Sequence, residues 1–222
     1  IAAFRTPAIM VSCSFACTLA FMYLVPQELQ RGLGMSSTLV GLLMLPGGIV
    51  NAVCTLMAGR LFDRHGARVL VWIGVVMAAI GGALFFAIGV DSGVVLFLAA
   101  HIIVMVGIPF IQQSAQSAAL KSLPGRMAAD GSTILNTMQQ VCGAIATAVA
   151  TCLLGLGQTG YAAGGGTNAA QGFVDGSRYG YMFGLVLVAI VLVFSFMLKG
   201  GKEEPKLVPV RVDGGAVESL AV

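Results

Sequence analysis

Long apolar runs alternate with short polar segments along the chain, and this pattern predicts helices that cross a membrane. A spanning helix needs about 20 consecutive, mostly apolar residues. Six segments meet this requirement, and we number the predicted helices one to six in this order: residues 7–26, 38–59, 69–90, 93–119, 132–156 and 179–198. The pattern predicts an all-α integral membrane protein whose six-transmembrane-helix bundle occupies residues 1–199.

Composition supports this interpretation. The 222 residues are 58% hydrophobic and only 9% charged, and the mean hydropathy is +0.95. Soluble domains are typically about 25% charged, so a soluble protein of this composition could not cover its surface. The net charge of +3 and the scattered basic residues give no support for nucleic-acid binding. Residues 200–222 are charged, contain two prolines and lack a periodic apolar face, which predicts a disordered tail.

Basic residues predict the orientation of the bundle. With helix one entering from the cytoplasm, ten of the twelve Lys and Arg residues fall on the cytoplasmic side: Arg5, Arg60, Arg64, Arg68, Lys121, Arg126, Lys199, Lys202, Lys206 and Arg211. Only Arg31 and Arg178 fall outside. Because loops rich in Lys and Arg stay inside, we expect a multi-pass protein of the cell membrane with both chain ends, and the tail, in the cytoplasm.

Side-chain amides are concentrated in helices two, four and five. Lipid offers amides no hydrogen bonds, so they should face other helices or a wet cavity. We therefore expect helices one, two, four and five to enclose a polar surface, with helices three and six behind. The candidate cavity residues are Asn51, His101, Gln112, Gln113, Gln116, Asn136, Gln139 and Gln140. Hydrogen bonding between helices is the alternative role of each.

Proline and glycine interrupt two predicted helices. Pro46, Gly47 and Gly48 lie near the middle of helix two, and Pro109 lies in helix four. Because proline frees a backbone carbonyl, these positions are candidate helix breaks of the kind found in transporters, with an ordinary kink as the alternative. Gly180 and Gly184 place two small residues on one face of helix six, which predicts close helix packing.

Enzymatic chemistry has little support in this chain. No HExxH or GxSxG motif and no pair of carboxylates within the predicted spans is present. The five cysteines lack metal-ligand spacing, so we expect no metal site, no cofactor and no enzyme. His101 is the only histidine within a span and is a candidate pH-active group, although a structural role is the alternative. Whether Glu28 titrates or pairs with Arg31 stays open.

A charged decapeptide lies between helices two and three. Residues 59–68 read Gly-Arg-Leu-Phe-Asp-Arg-His-Gly-Ala-Arg, with five ionisable side chains, the histidine included, in ten positions. Charge is costly in lipid, so this segment should lie at the membrane edge. The decapeptide resembles the G-x-L-a-D-r-x-G-r-r loop of the major facilitator superfamily, with Ala67 departing from it. By this resemblance a gating loop is expected, whose residues are Gly59, Arg60, Asp63, Arg64, Gly66 and Arg68.

Three further segments resemble one family within this superfamily, the drug:proton antiporters with fourteen helices (EmrB/QacA type). They are Val-Pro-Gln-Glu-Leu-Gln at 25–30, Leu-Pro-Gly-Gly at 45–48 and Asn-Thr-Met-Gln-Gln-Val-Cys-Gly at 136–143. Glu28 departs from a usually apolar or aromatic position of the family. The resemblance covers residues 1–200 and implies the last six helices, which form the C-terminal half of the superfamily fold.

The resemblance implies the C-terminal half of a proton-coupled multidrug efflux transporter that works by alternating access. Its expected partners are hydrophobic or cationic drug-like substrates, protons, the lipid bilayer and the missing N-terminal half. One alternative is an exporter of the same fold for a metabolite, lipid or siderophore. Another is a fragment with no transport activity alone, because alternating access needs a second bundle.

Overall fold

Five helices long and apolar enough to cross a membrane make up the bundle in the computed structural model, which describes residues 2–89, 92–198, 208–211 and 217–220. They are α1 (Ala2–Gln27), α2 (Ser37–Ala87), α3 (Val94–Lys121), α4 (Ala128–Ala163) and α5 (Ala169–Ser195). A π-helical turn, Glu28–Gly32, continues α1, and a 3₁₀ turn, Gly125–Met127, precedes α4. The prediction of an all-helical bundle is confirmed.

The structure differs from the six predicted helices at α2, which joins predicted helices two and three. Gly66 alone within α2 is non-helical, with φ 78° and ψ 167°, and it divides α2 into a first arm (37–65) and a second arm (67–87). Along the first arm, Gly47 packs on His101 and Asn51 on Met105. Along the second, Gly74 packs on Gly107 and Gly81 on Ala100. The arms therefore run in opposite directions against α3.

The start of α1 and the end of α5 lie at the same end of the bundle as this bend, which we call the Gly66 end. Phe4 at the start of α1 lies close to Gly131 at the start of α4. Phe196 at the end of α5 packs edge-on against Trp72, just after the bend, with ring centroids 5.0 Å apart. The opposite end, which contains the π-helical turn, is the Glu28 end. If each arm of α2 crosses once, the number of crossings is even, because the start of α1 and the end of α5 lie at the same end.

Glycines set the closest helix contacts. A Cβ added at Gly107 would lie 2.6 Å from the backbone nitrogen of Ala78 and 2.7 Å from the Gly74 carbonyl oxygen. The backbones of α3 and the second arm of α2 therefore touch at this crossing. Between α4 and α5, a Cβ at Gly157 would lie 2.5 Å from the Cα of Gly176. Small residues at such crossings replace the hydrophobic driving force that lipid does not supply.

The predicted small-residue face of the last helix is confirmed. Gly180 packs under Leu24 and Gly184 under Phe21, so α5 lies close against α1. Above these contacts Tyr181 stacks on Phe85 with ring centroids 4.9 Å apart, and Phe85 packs edge-on against Phe97 at 5.0 Å. This aromatic cluster joins α2, α3 and α5 and, through Phe21, α1, and it lies toward the Glu28 end of the bundle.

The loop before the last helix is shorter than predicted. Predicted helices five and six leave residues 157–178 between them, whereas α4 continues to Ala163 and α5 begins at Ala169. The Asn168 side chain accepts hydrogen bonds from the backbone N–H groups of Ala170 and Gln171, which fixes the start of α5. The Gly157 and Gly176 contact then holds the two extended helices together.

The predicted disordered tail contains two short paired strands. β1 (Val208–Arg211) pairs antiparallel with β2 (Val217–Leu220), and Val208 lies opposite Leu220. Valines, which favour strands, alternate with other residues in β1. The rest of residues 199–222 lies outside the described part of the chain.

The glycine contact between α2 and α3 gives a stability prediction. Gly107→Ala should lower the free energy of unfolding by about 1–3 kcal/mol, because the new methyl group must push two backbones apart. Gly155→Ala is the matched control, since a Cβ there meets nothing within 4 Å and alanine favours a helix by about 1 kcal/mol. Thermal unfolding of the detergent-purified protein measures both variants. Equal stability of the two would contradict the packing described here.

Candidate functional site

Helix α4 carries two exposed stripes of different chemistry. One stripe is polar or small, and its exposed members are Thr133, Asn136, Thr137, Gln140, Ala144 and Thr151. The second is apolar and lies about 100° further round the helix; it consists of Ile134, Val141, Ile145 and Leu156, which are 50–66% exposed. The remaining side of α4 packs on α1 and α5. We call the first the polar stripe.

The polar stripe has no partner among the described residues. Its threonines satisfy themselves, since the Thr133 and Thr137 hydroxyls donate to the carbonyls of Ala129 and Thr133. The side-chain amides of Asn136 and Gln140 make no such hydrogen bond to the backbone of their own helix. In hydrocarbon an amide without hydrogen bonds is costly. The stripe therefore has to face water, a ligand or another protein surface, whereas the apolar stripe beside it is suited to lipid.

Gln139 lies on the buried side of α4, next to the polar stripe. It is buried, and its carbonyl oxygen accepts a hydrogen bond from the Gln112 amide at 3.3 Å. The Gln139 amide in turn donates to the Leu135 carbonyl. These two residues therefore link α3 to α4. Gln113 and Gln116, also predicted to line a cavity, are half-buried on the same part of α3.

Asn51 and His101 belong to the packing between α2 and α3. The Asn51 amide donates to the Met105 carbonyl at 3.5 Å and lies 3.7 Å from the Met105 sulfur. His101 is 6% exposed and fills the space over Gly47. Each of these two residues thus packs against the other's helix, and neither belongs to the polar stripe of α4.

The predicted helix breaks are wrong. α2 runs without a break through Pro46, Gly47 and Gly48, and α3 runs through Pro109. Within spanning helices the groups freed by proline are satisfied by neighbouring helices and small local adjustments. Gly47 does not break the helix; because it has no side chain, it leaves room for the His101 ring. The one real interruption of α2 is at Gly66.

The charged decapeptide forms the turn at the Gly66 end. Residues 59–65 continue the first arm of α2 as helix, and Gly66 reverses the chain. The Asp63 carboxylate pairs with Lys121 at the end of α3, at 3.2 Å, and both side chains are exposed. The Lys121 ammonium also lies 4.4 Å from the centre of the Phe62 ring. Arg60, Arg64 and Arg68 are exposed around this pair.

Lys121 is a residue that sequence reasoning missed as the partner of Asp63. The pairing joins residues 58 positions apart, so only the parallel packing of the first arm of α2 along α3 reveals it. The signal in the sequence was limited to the shared cytoplasmic side of the two loops.

A second group of ionisable side chains lies at the Glu28 end. Glu28 is 1% exposed, and its carboxylate accepts a hydrogen bond from the Tyr181 hydroxyl. Arg178 donates to Asp175 at 3.1 Å and to the Ile88 carbonyl at 3.5 Å. Arg31 is exposed; among the described residues the carboxyl of Glu28 forms no ion pair with it or with any other cation. The question left open about Glu28 is thereby answered against Arg31.

Two cavities of about 460 Å³ lie at this same end. Both are lined by Tyr161. One also includes the Asp175 and Arg178 pair, and the other includes Arg31. None of the predicted cavity residues lines either one. No group of three or more His, Cys, Asp or Glu side chains suited to a metal ion occurs in the described part of the chain.

Comparison with known proteins identifies the family. Residues 2–147 match the Major Facilitator Superfamily. The chain belongs to this superfamily. It is 36% identical over 205 residues to the lincomycin resistance protein LmrB of Listeria monocytogenes, a match that covers 90% of the chain and 43% of that relative. The corresponding protein of Bacillus subtilis is 34% identical over 86% of the chain and 41% of its own length.

A third relative is named for resistance to a different antibiotic. The puromycin resistance protein of Streptomyces alboniger is 30% identical, over 77% of the chain and 34% of the relative. The chain thus spans less than half the length of these superfamily relatives. Membership of a superfamily of transporters agrees with the prediction that the chain is not an enzyme, and it makes the protein a multi-pass membrane protein.

The contact between Gly47 and His101 gives a prediction about the role of the histidine. Gly47→Ala should destabilise the protein by about 1–3 kcal/mol, because the new methyl group overlaps the imidazole ring. Gly48→Ala is the matched control, since a Cβ there meets nothing within 4 Å. In a His101→Ala background the cost of Gly47→Ala should disappear. Thermal unfolding of the four variants measures this coupling, and an unchanged cost in that background would show that His101 does not fill this space.

Proposed function

We propose that the chain is the C-terminal half of a multidrug exporter that exchanges drug for protons by alternating access. The observation that carries this proposal is the polar stripe of α4. A stripe of amides and hydroxyls beside an apolar stripe requires a non-lipid environment on one side of the helix only. A second helical bundle across a wet passage provides such an environment.

The length of the relatives supports a second bundle. They extend over more than twice the matched length, so the equivalent full-length protein has room for the N-terminal half. In this arrangement Asn136 and Gln140 line the passage between the halves. We infer hydrophobic or cationic drug-like substrates, because two of the relatives are named for resistance to lincomycin and puromycin. The fourteen-helix drug:proton antiporters (EmrB/QacA type) are the proposed subfamily.

Six crossings of the plasma membrane are part of this proposal. Each arm of α2 crosses once, so α1, the two arms, α3, α4 and α5 make six. The Gly66 end is then cytoplasmic, because the decapeptide, Arg5 and Lys121 lie there and positive loops stay inside. The start of α1 and the end of α5 share that end, which supports cytoplasmic placement of both. The Glu28 end faces outward.

The ion pair between Asp63 and Lys121 suits a gate. With side chains that are 70% and 53% exposed, such a pair contributes at most about 1 kcal/mol. A contact this weak can break and reform in each cycle without trapping either state. Because it ties the bend of α2 to the end of α3, its loss would free the cytoplasmic ends of these helices to move. Asp63, Lys121 and the surrounding arginines are therefore the proposed gating loop.

Neutralising Asp63 should separate a gating role from a stabilising one. In the full-length transporter, Asp63→Asn should lower export of ethidium by up to about fivefold, which corresponds to the loss of about 1 kcal/mol, while the amount of inserted protein and its thermal stability stay near those of the wild type. Asp130→Asn is the matched control, because Asp130 is an exposed carboxylate at the same end without an ion pair in the described structure. Dye efflux from energised cells is the measurement. Normal efflux by Asp63→Asn would remove the gating role.

Cysteine labelling should distinguish the two stripes of α4. In a full-length protein whose native cysteines have been replaced, Asn136→Cys and Gln140→Cys should react with a water-soluble maleimide, and ethidium should slow that reaction. Ile134→Cys and Ile145→Cys, on the same helix, should react far more slowly because thiols in lipid do not meet the reagent. Equal reaction rates on both stripes would refute the proposed passage.

A further inference from the structure

Glu28 is a carboxyl group buried inside a membrane bundle. It begins the π-helical turn that ends α1, and its side chain points against α5. π-Helical turns widen a helix locally and are frequent at functional sites. Ionisable side chains within a bundle are rare because their burial is costly, and they commonly mark ion or proton pathways. The position of Glu28 thus needs an explanation beyond packing.

In the described part of the chain, one cation, Arg178, lies close to Glu28. On α5, the Tyr181 hydroxyl, the Ser177 hydroxyl and the Arg178 guanidinium lie close to the carboxyl. Arg178 is held by Asp175 instead, and Arg31, on the π-helical turn itself, is exposed. Apart from tyrosine and cysteine, the ionisable side chains of α1 and α2 are Arg5 and those of the decapeptide. All of them lie at the Gly66 end. Arg178 therefore lies near two carboxyl groups, and it is bonded to that of Asp175 and not to that of Glu28.

Aromatic side chains close Glu28 off from the middle of the bundle. Tyr181 is itself 0% exposed and packs on Phe85 and Phe21, with ring centroids 4.9 and 5.4 Å away. On the other side, Gly32 packs between the Glu28 side chain and Val174 of α5. In this conformation the carboxyl has no contact with bulk water. Exchange of a proton with water then requires α5 to move relative to the end of α1.

We propose that Glu28 binds and releases a proton in the transport cycle and that Arg178 moves from Asp175 to Glu28 when the proton leaves. This inference rests on the proposed function. A buried carboxyl is either a neutral acid, hydrogen-bonded to Tyr181, or an anion that requires a cation. When the acid gives its proton to water, the carboxylate takes Arg178, and the bond of Arg178 to Asp175 breaks. When water returns a proton, the carboxyl becomes neutral and Arg178 goes back to Asp175.

This exchange couples protonation to the shape of the outer end. Arg178 also bonds to the Ile88 carbonyl at the end of α2, and Asp175 accepts a bond from Gln171. Moving the guanidinium from Asp175 to Glu28 therefore loosens the joint between α2 and α5. It also frees one wall of the cavity that Asp175 and Arg178 line. A proton at Glu28 would thus favour the joint between α2 and α5 that the structure shows, with Arg178 bonded to Asp175 and to the Ile88 carbonyl.

Infrared difference spectroscopy tests the proton site directly. The full-length transporter is reconstituted in liposomes and the pH is raised. The wild type should lose a C=O stretching band of a protonated carboxylic acid, and Glu28→Gln should lack this component while Asp63→Asn keeps it. An identical band in Glu28→Gln would overturn the proposal. If Glu28→Gln does not fold, Tyr181→Phe serves instead, because removing the phenol should change the pH at which the band disappears; an unchanged pH would also overturn the proposal.

Transport in the same liposomes separates this inference from the proposed function. With ethidium as the probe, Glu28→Gln should retain passive equilibration of the dye but lose accumulation driven by an imposed pH gradient. Asp175→Asn should retain both with an altered pH dependence, since Arg178 then stays free for Glu28. A wild type that moves no ethidium would refute drug export, yet the infrared result on Glu28 would still stand. Accumulation by Glu28→Gln equal to the wild type would refute the coupling role.

Discussion

Hydrocarbon cannot accept or donate a hydrogen bond, and the arrangement of this superfamily member follows from that constraint. Hydroxyls on α4 bond to the preceding turn of their own helix, and Gln112 and Gln139 bond to each other. Asn51 bonds across to α3. The exposed amides of α4 that make no hydrogen bond in the described part of the chain, Asn136 and Gln140, lie in one stripe. The unbonded amides that α4 exposes thus share one side of that helix.

Close backbone contact is the second requirement, because apolar side chains gain nothing by leaving lipid for one another. Gly74 and Gly107 bring α2 and α3 together, and Gly157 and Gly176 do the same for α4 and α5. These contacts place rigid helices at fixed distances. Across such helix pairs, Asp63 of α2 meets Lys121 of α3 at one end of the bundle, and Tyr181 of α5 meets Glu28, in the turn that continues α1, at the other.

Much of the fold could be predicted from the sequence, whereas the partners of single residues could not. The apolar runs predicted the helices and the small face of Gly180 and Gly184, because both depend on local periodicity. Proline and loop composition were misleading: Pro109 lies in an intact helix, and the glycine-rich segment after 156 is mostly helical. Tertiary contacts decide such positions. The same holds for Lys121 and for the burial of Glu28 by Tyr181, which depend on helices far apart in the chain.

The two glycines of the decapeptide are not equivalent. Gly59 has helical backbone and open space around it, so another residue there changes little. Gly66 has a backbone conformation that residues with a side chain rarely adopt, and it is the single joint between two rods of 29 and 21 residues (37–65 and 67–87). A swivel of a few degrees at this one peptide is amplified along both rods. The far tips of α2, one beside the π-helical turn and one beside Arg178, would then be displaced together by a change that begins at the membrane surface.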